Sequence, residues 1–294
     1  MVIATPRANT DVFTLNTGAI IPAVGFGTWQ SEDNQAYEAV KVALANGYKH
    51  IDTAAIYKNE EQVGKAIKDS KISREELFIT TKLWNTDHKR VAEALDESLK
   101  KLGLDYVDLY LIHWPLSTDP ATGEPYSDVD YLDAYKELQK LQKSGKTRAI
   151  GVSNFTQKQV QRVLDDKDVT IVPAVNQIEA HPLLTQPELT EYLQKHNIVV
   201  EAYSPLGSTN SPLFKNPTVV ELAEKYEVEP AQVLISWALQ RKTVVLPKSV
   251  TEKRIISNFK TFELVPQDFK KLSNLSEQYG VQRLNTLKGV DFSD

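Results

Sequence analysis

The sequence predicts an α/β fold: one (β/α)8 TIM barrel over residues 1–294, with an N-terminal β-hairpin, an extra C-terminal helix and a C-terminal loop over the barrel mouth. Three observations predict it. Short apolar runs alternate with amphipathic runs, and eight strand-then-helix units follow one another. Three consecutive predicted strands end in polar side chains, Asp52, Lys82 and His113, and parallel barrels carry their chemistry at strand ends. The length, 294 residues, suits a fold that typically needs about 250.

The elements follow in order. Residues 1–10 read as a disordered lead. Val12–Leu15 and Ile20–Pro22 flank Asn16-Thr17-Gly18 and predict a hairpin under the barrel. Val24–Gly27 is the first barrel strand. Its Gly-x-Gly is not a dinucleotide-fold fingerprint, because Gln30 stands where a third small residue belongs. Gly25 and Gly27 instead predict close backbone approach. A helix over Asp33–Asn46 ends before Gly47, and strand His50–Asp52 follows. Asn59 and the acids after it predict a capped helix to Lys68. Ser73–Glu76 has capping-box spacing.

Strand Leu77–Lys82, helix Lys89–Leu102 and strand Tyr106–His113 come next. A longer loop, Trp114–Asp128, leads to helix Val129–Ser144. Strand Arg148–Gly151, helix Gln157–Asp165, strand Ala174–Ile178, helix Pro187–His196 and strand Val199–Tyr203 continue the alternation. Ser204–Asn216 is a loop by composition. Helices Thr218–Tyr226 and Pro230–Gln240 precede the last strand, Val244–Leu246, and its helix, Thr251–Phe259. Pro266–Tyr279 predicts the extra helix, and Gly280–Asp294 a tail without periodicity.

Composition narrows the function. The net charge of −5, with both signs interspersed, argues against a nucleic-acid partner, which favours a basic face. With no cysteine, disulfides, thiolate zinc sites and a cysteine nucleophile are excluded. The opening residues lack the apolar core of a signal peptide and no run is long enough to span a bilayer. The expectation is a cytoplasmic monomer without a membrane partner. No pair among the five histidines has zinc-motif spacing, so no metal is expected. A glycosidase would pair Asp52 with Glu179, but would leave Lys82 and Tyr57 without roles.

Tyr57 lies in the loop after strand His50–Asp52, so the mouth gathers a phenol, an ammonium, a carboxylate and an imidazole. An ordinary tyrosine titrates near ~10 and is a poor acid at neutrality. A neighbouring ammonium, Lys82, favours phenolate and makes it a better one. Asp52 would hold Lys82 charged and oriented, and His113 would hydrogen-bond a substrate carbonyl oxygen. This set donates a proton to a developing alkoxide, but none of its members supplies hydride.

Asp52, Tyr57, Lys82 and His113 match the catalytic tetrad of the aldo-keto reductase superfamily. GFGTW (Gly25–Trp29), HIDTA, LYLIHWP, GVSNF, NQIEAHP, AYSPLG and LPKSV resemble that family's blocks in its order, from about Phe13 to about Asn258. The tetrad and blocks look closest to the fungal and aldose-reductase-like branch. The resemblance implies a nicotinamide cofactor, NADPH, and reduction of aldehydes or ketones, with the reverse oxidation open to the same groups. A non-catalytic, nucleotide-binding relative is the alternative.

The resemblance also assigns a cofactor path. Gly27, Thr28 and Trp29 line its start. Ser153, Asn154 and Gln177 would hold the carboxamide, Tyr203 would stack on the nicotinamide, and Ser204, Leu206 and Ser208 would follow the pyrophosphate. Lys248, Ser249, Val250, Thr251, Arg254 and Asn258 form the far end. There Lys248, Arg254 and the start of a helix suit the 2′-phosphate of NADPH rather than NADH. Ser257 departs from the family, where many relatives have an acid that contacts the adenine. Trp29, Ile56, Trp84 and Trp114 would wall an aromatic substrate pocket.

Overall fold

The structure, a computed structural model, describes residues 4–31 and 34–293. Its strands in chain order are β1 (Arg7–Ala8), β2 (Val12–Thr14), β3 (Ile20–Pro22), β4 (Phe26–Gly27), β5 (His50–Asp52), β6 (Phe78–Leu83) and β7 (Val107–Ile112). They continue as β8 (Thr147–Ser153), β9 (Val175–Glu179), β10 (Val199–Tyr203), β11 (Val244–Leu246) and β12 (Lys260–Thr261). Strands β4 to β11 form one eight-stranded sheet in sequential order, every pair parallel. A parallel bridge between Val24 and Val245 brings its two edges together. Gly25 N–H donates to Val245 O at 2.9 Å and Gly27 N–H to Pro247 O at 3.1 Å. The expected (β/α)8 barrel is thus observed.

Barrel strands have a covered face on each side and so read as continuous apolar runs. β6 and β7 are buried throughout. Alternation decides which side chain goes where. Leu109, Leu111, Phe78, Ala149, Val175 and Val244 fill the barrel interior with Leu15 and Ile21 from the hairpin β2–β3. Ile79, Leu83, Tyr110 and Ile112, one residue out of phase, pack under the helices. Lys82 lies four residues after Phe78 and shares its inward parity; Asp52, Gln177, Glu179, Glu201 and Tyr203 are inward by the same rule.

Helices α1 (Gln35–Ala45), α2 (Glu60–Ser70) and α3 (Val91–Leu102) illustrate the outer layer. In α3, Val91, Ala94, Leu95, Ser98, Leu99 and Leu102 are buried at helical spacing, and Gly103 closes the helix at φ 65°. Helices Tyr131–Lys143, Gln157–Asp165, Pro187–Lys195, Pro217–Tyr226, Pro230–Gln240 and Glu252–Asn258 complete the ring, within a few residues of expectation.

Several expectations are corrected. Part of the lead is ordered: β1 pairs antiparallel with β12, and Asn9 N–H donates to Phe259 O at 2.9 Å. Met1–Ile3 lie outside the described residues, as does Asp33, the expected start of α1. Ser73 does not cap a helix; Arg74–Glu76 is a single 3-10 turn. Arg74 holds it there by donating to Leu77 O and Tyr106 O, both at 3.0 Å. Asn59 precedes α2, but its side chain does not cap. It ties two loops instead, donating to Thr28 O at 2.9 Å and accepting from Thr53 Oγ1 at 3.2 Å. The extra C-terminal helix is two, Pro266–Ser273 and Leu275–Tyr279, broken at Asn274.

The glycine expectation holds at one position. A Cβ on Gly25 would lie 2.6 Å from Leu246 Cδ2 and 2.7 Å from His50 Nδ1, whereas one on Gly27 would make ordinary contacts. The tightest case is Gly64 in α2, where a Cβ would sit 2.2 Å from the Leu102 carbonyl oxygen of α3. In an exposed helix, Gly→Ala stabilises by about 1 kcal/mol. Here Gly64→Ala is expected to destabilise by about 1–3 kcal/mol, because backbone must move. Urea unfolding checks this; a midpoint equal to or above the parent's contradicts the close α2–α3 approach.

Candidate active site

The C-terminal ends of the eight barrel strands face one cavity of about 1230 Å³. Behind its wall lies Lys82, whose side chain is 0% exposed. The ammonium has three protons and meets three acceptors. It donates to Asp52 Oδ1 at 2.6 Å, Thr53 O at 2.9 Å and Tyr57 Oη at 3.3 Å. Asp52, Tyr57 and His113 line the cavity, while Lys82 stands behind them. The His113 ring meets Tyr57 edge-on, with centroids 5.8 Å apart, and stacks beside Trp114.

Electrostatics assign charge states. Burial works to lower the Lys82 pKa, but Asp52 and Tyr57 oppose it and hold it at about 12. Burial first, then Lys82, pushes His113 well below its ordinary value, so its imidazole is neutral. For Tyr57, burial is the larger influence and raises the pKa; Lys82 pulls it down. Lys82 thus offsets, without reversing, the effect of burial on the phenol.

Every residue expected to contact cofactor or substrate lines this cavity, from Gly27, Thr28 and Trp29 round to Arg254 and Asn258. Ile56, Trp84 and Trp114 are also on its wall. Asn154 has a left-handed backbone, φ 63°, which is costly outside glycine. Its side chain donates to His113 O at 3.0 Å and accepts from Tyr203 Oη at 2.6 Å. Ser153 donates to Gln177 O at 2.8 Å. Ser204 and Ser208 also have positive φ. Gln177 is partly committed elsewhere: its amide nitrogen donates to Asp52 Oδ2 at 2.8 Å and Glu201 Oε1 at 2.6 Å. Lys248 reaches across the mouth to Gln30 O at 3.0 Å.

Sequence reasoning missed three features. Glu201 is a buried acid two residues before Tyr203; a lone acid inside an apolar strand was the available signal. Glu229 lines the cavity and accepts from Ser257 Oγ at 3.2 Å, so an acid from another element reaches position 257. The third is how the tail is held. Glu179 accepts from the backbone N–H groups of Leu284 and Asn285, each at 2.8 Å, and lies 2.9 Å from His181 Nε2. Leu284–Leu287 thereby become part of the cavity wall. Among the described residues no cluster of three or more His, Asp or Glu is placed to hold a metal ion, and no helix is long and apolar enough to cross a membrane.

A parallel barrel with these four groups at its mouth defines a class of protein, and the chain belongs to the aldo/keto reductase family, whose model matches residues 23–277. It is 50% identical to aldehyde reductase YPR1 of Saccharomyces cerevisiae, covering 98% of each chain. It is also 50% identical to the glycerol 2-dehydrogenase (NADP(+)) of that yeast, covering 96% of each. Among solved structures it resembles a Bombyx mori aldo-keto reductase in complex with NADP, with a TM-score of 0.88, 38% identity and 96% coverage of each chain.

Burial raises the Glu179 pKa, but His181 and the two backbone donors outweigh it, so the group titrates below its ordinary range. The anchoring is therefore present above the unfolded-state pKa and lost as pH falls through the depressed one. Glu179→Gln removes the charge at every pH. Hydrogen exchange of residues 280–293 is expected to speed up by at least about tenfold, the factor that ~1.4 kcal/mol produces. Unchanged protection in the variant would remove Glu179 as the anchor.

Proposed function

We propose that the protein reduces aldehydes and ketones to alcohols with NADPH, and that Tyr57 donates the proton. The observation that carries this reading is the Tyr57 hydroxyl at the cavity wall, 3.3 Å from an ammonium fixed by Asp52. The cavity has room for a dinucleotide beside a small carbonyl compound. Its residues fit such a cofactor on a second count. Asn258 Oδ1 is buried and has no partner within the protein, and a buried polar atom calls for one. It lines the same cavity as Arg254 and Thr251. Glu229, beside Ser257, offers an acceptor for the adenine amino group.

When bound, the reduced nicotinamide supplies hydride to the carbonyl carbon. Tyr203, Asn154 and Ser153 orient the ring against the mouth, and Arg254 with the Ser249–Thr251 segment takes the 2′-phosphate. Neutral His113 donates a hydrogen bond to the carbonyl oxygen and fixes its approach. Tyr57 Oη hands its proton to that oxygen as charge develops. Lys82, kept charged by the Asp52 carboxylate, stabilises the phenolate left behind. Trp29, Ile56, Trp84 and Trp114 exclude water and favour substrates with apolar surface. The names of the yeast relatives support an aldehyde or a small polyol–ketone pair as substrate.

Two variants test this. Tyr57→Phe keeps the ring and removes the proton, so turnover of an aldehyde panel is expected to fall about 10²–10⁴-fold. NADPH affinity, read by fluorescence titration, should barely change. Retained turnover would rule out the phenol as donor. Arg254→Ala is expected to weaken NADPH by about tenfold or more, the scale of a lost charge-assisted hydrogen bond. NADH should lose little. An equal loss for both nucleotides would remove Arg254 from the 2′-phosphate site.

A further inference from the structure

Beside the reacting groups lies a buried acid to which the reaction as described gives no role. Glu201 on β10 is 0% exposed and points into the barrel beneath the mouth. By register it stands beside Gln177 on β9 and Val244 on β11. Its Oε1 accepts from Gln177 at 2.6 Å; its Oε2 is buried and has no partner. Gln177 also donates to Asp52, so one amide links two carboxyl groups.

We propose that Glu201 is a positioning residue of this reaction: it is protonated in the resting enzyme and, through Gln177 and Asp52, sets the charge against which Lys82 and Tyr57 work. This rests on the reading that Tyr57 is the proton donor.

Charge counting supports it. The ionisable groups that act on Glu201 are Asp52 from β5, Lys82 from β6 and Tyr57 from the loop after β5; His50, two residues before Asp52 on β5, is close enough to act on Asp52 and Lys82. β9 presents the neutral Gln177 and β11 an apolar valine. Burial pushes His50 down to about 4, so it is uncharged at neutral pH. Lys82 is then the cation of the group, and Asp52 engages it at 2.6 Å. A second carboxylate would be a buried charge with one neutral donor, which is strongly unfavourable. In keeping with this, burial first and Asp52 second push Glu201 up to about 8.

The consequence has a sign. When Glu201 loses its proton to solvent, a negative charge appears on the site, and that charge raises the pKa of Tyr57. The phenol becomes a weaker acid, so reduction slows as pH rises through about 8. Folding is affected too. An acid whose pKa is raised from 4.5 to about 8 costs stability progressively across that window and by a constant amount above it. Glutamine at position 201 copies the shape of the neutral acid and cannot ionise.

The test compares the parent with Glu201→Gln in two readouts. In thermal unfolding, the variant's Tm advantage is expected to grow with pH from 4.5 to about 8 and then level. In kcat for aldehyde reduction, the parent is expected to show an alkaline decline centred near pH 8 that the variant lacks. A Tm difference independent of pH overturns the protonated state. A Tm difference that grows while the two kcat profiles superimpose overturns the positioning role. Tyr57→Phe, run in parallel, separates the readings: if it remains active the donor assignment fails, while unfolding still reports on Glu201.

Discussion

The structure turns on a lysine ammonium kept out of water. Burying a charge is costly unless it is paired and its hydrogen-bonding capacity is used. Lys82 meets both conditions with one carboxylate, one carbonyl and one phenol, from Asp52, Thr53 and Tyr57. Removing one member of such a pair strands the other, a loss of about 3–5 kcal/mol in comparable cases. Simple replacement of the pair by apolar side chains would be easier for stability. Its retention makes sense as chemistry: the third acceptor is the hydroxyl proposed to give up a proton.

The barrel makes this arrangement possible by parity. In β6 the inward positions are Phe78, Thr80 and Lys82, and in β7 Leu109 and Leu111 lead to His113. Each strand is apolar where it meets the hairpin floor and polar where it reaches the mouth. The floor excludes water from below, so charges at the mouth act through a low-dielectric interior. A one-residue slip in any of these strands would turn its functional side chain toward the helices.

This division explains what could be read from the chain. Strand ends, inward parity and helix stops such as Gly103 are local patterns, and they were legible. So were the four groups at the mouth, because each lies near the end of a strand or just past it. The pairing of Arg7–Ala8 with Lys260–Thr261 was not, since two-residue strands leave no period and their partners lie at opposite ends of the chain. Ser73 had the spacing of a cap, but Arg74 is drawn to carbonyls on other elements, and tertiary contacts overrode the local rule. Asn59 likewise turns from its own helix to Thr28. The two backbone donors that Glu179 holds lie more than a hundred residues away, in a tail without periodicity.

Glu179 and Glu201 make the last point together. Both are acids on the inner face of neighbouring strands, and both are buried. Burial raises the pKa of each. For Glu179, two backbone N–H groups and His181 outweigh it, and the carboxylate is charged and holds the tail. For Glu201, one amide faces the opposing charge of Asp52, and the neutral acid wins. Residue type is the same and both are shielded from solvent, but Glu201 is the more deeply enclosed, has fewer donors and faces the Asp52 charge, and these together separate the outcomes. One acid thus becomes a fixed anchor for the pocket wall. The other is the proposed proton store beneath Lys82 and Tyr57, and the difference lies in partners the fold brings from elsewhere, the tail for Glu179 and Asp52 for Glu201.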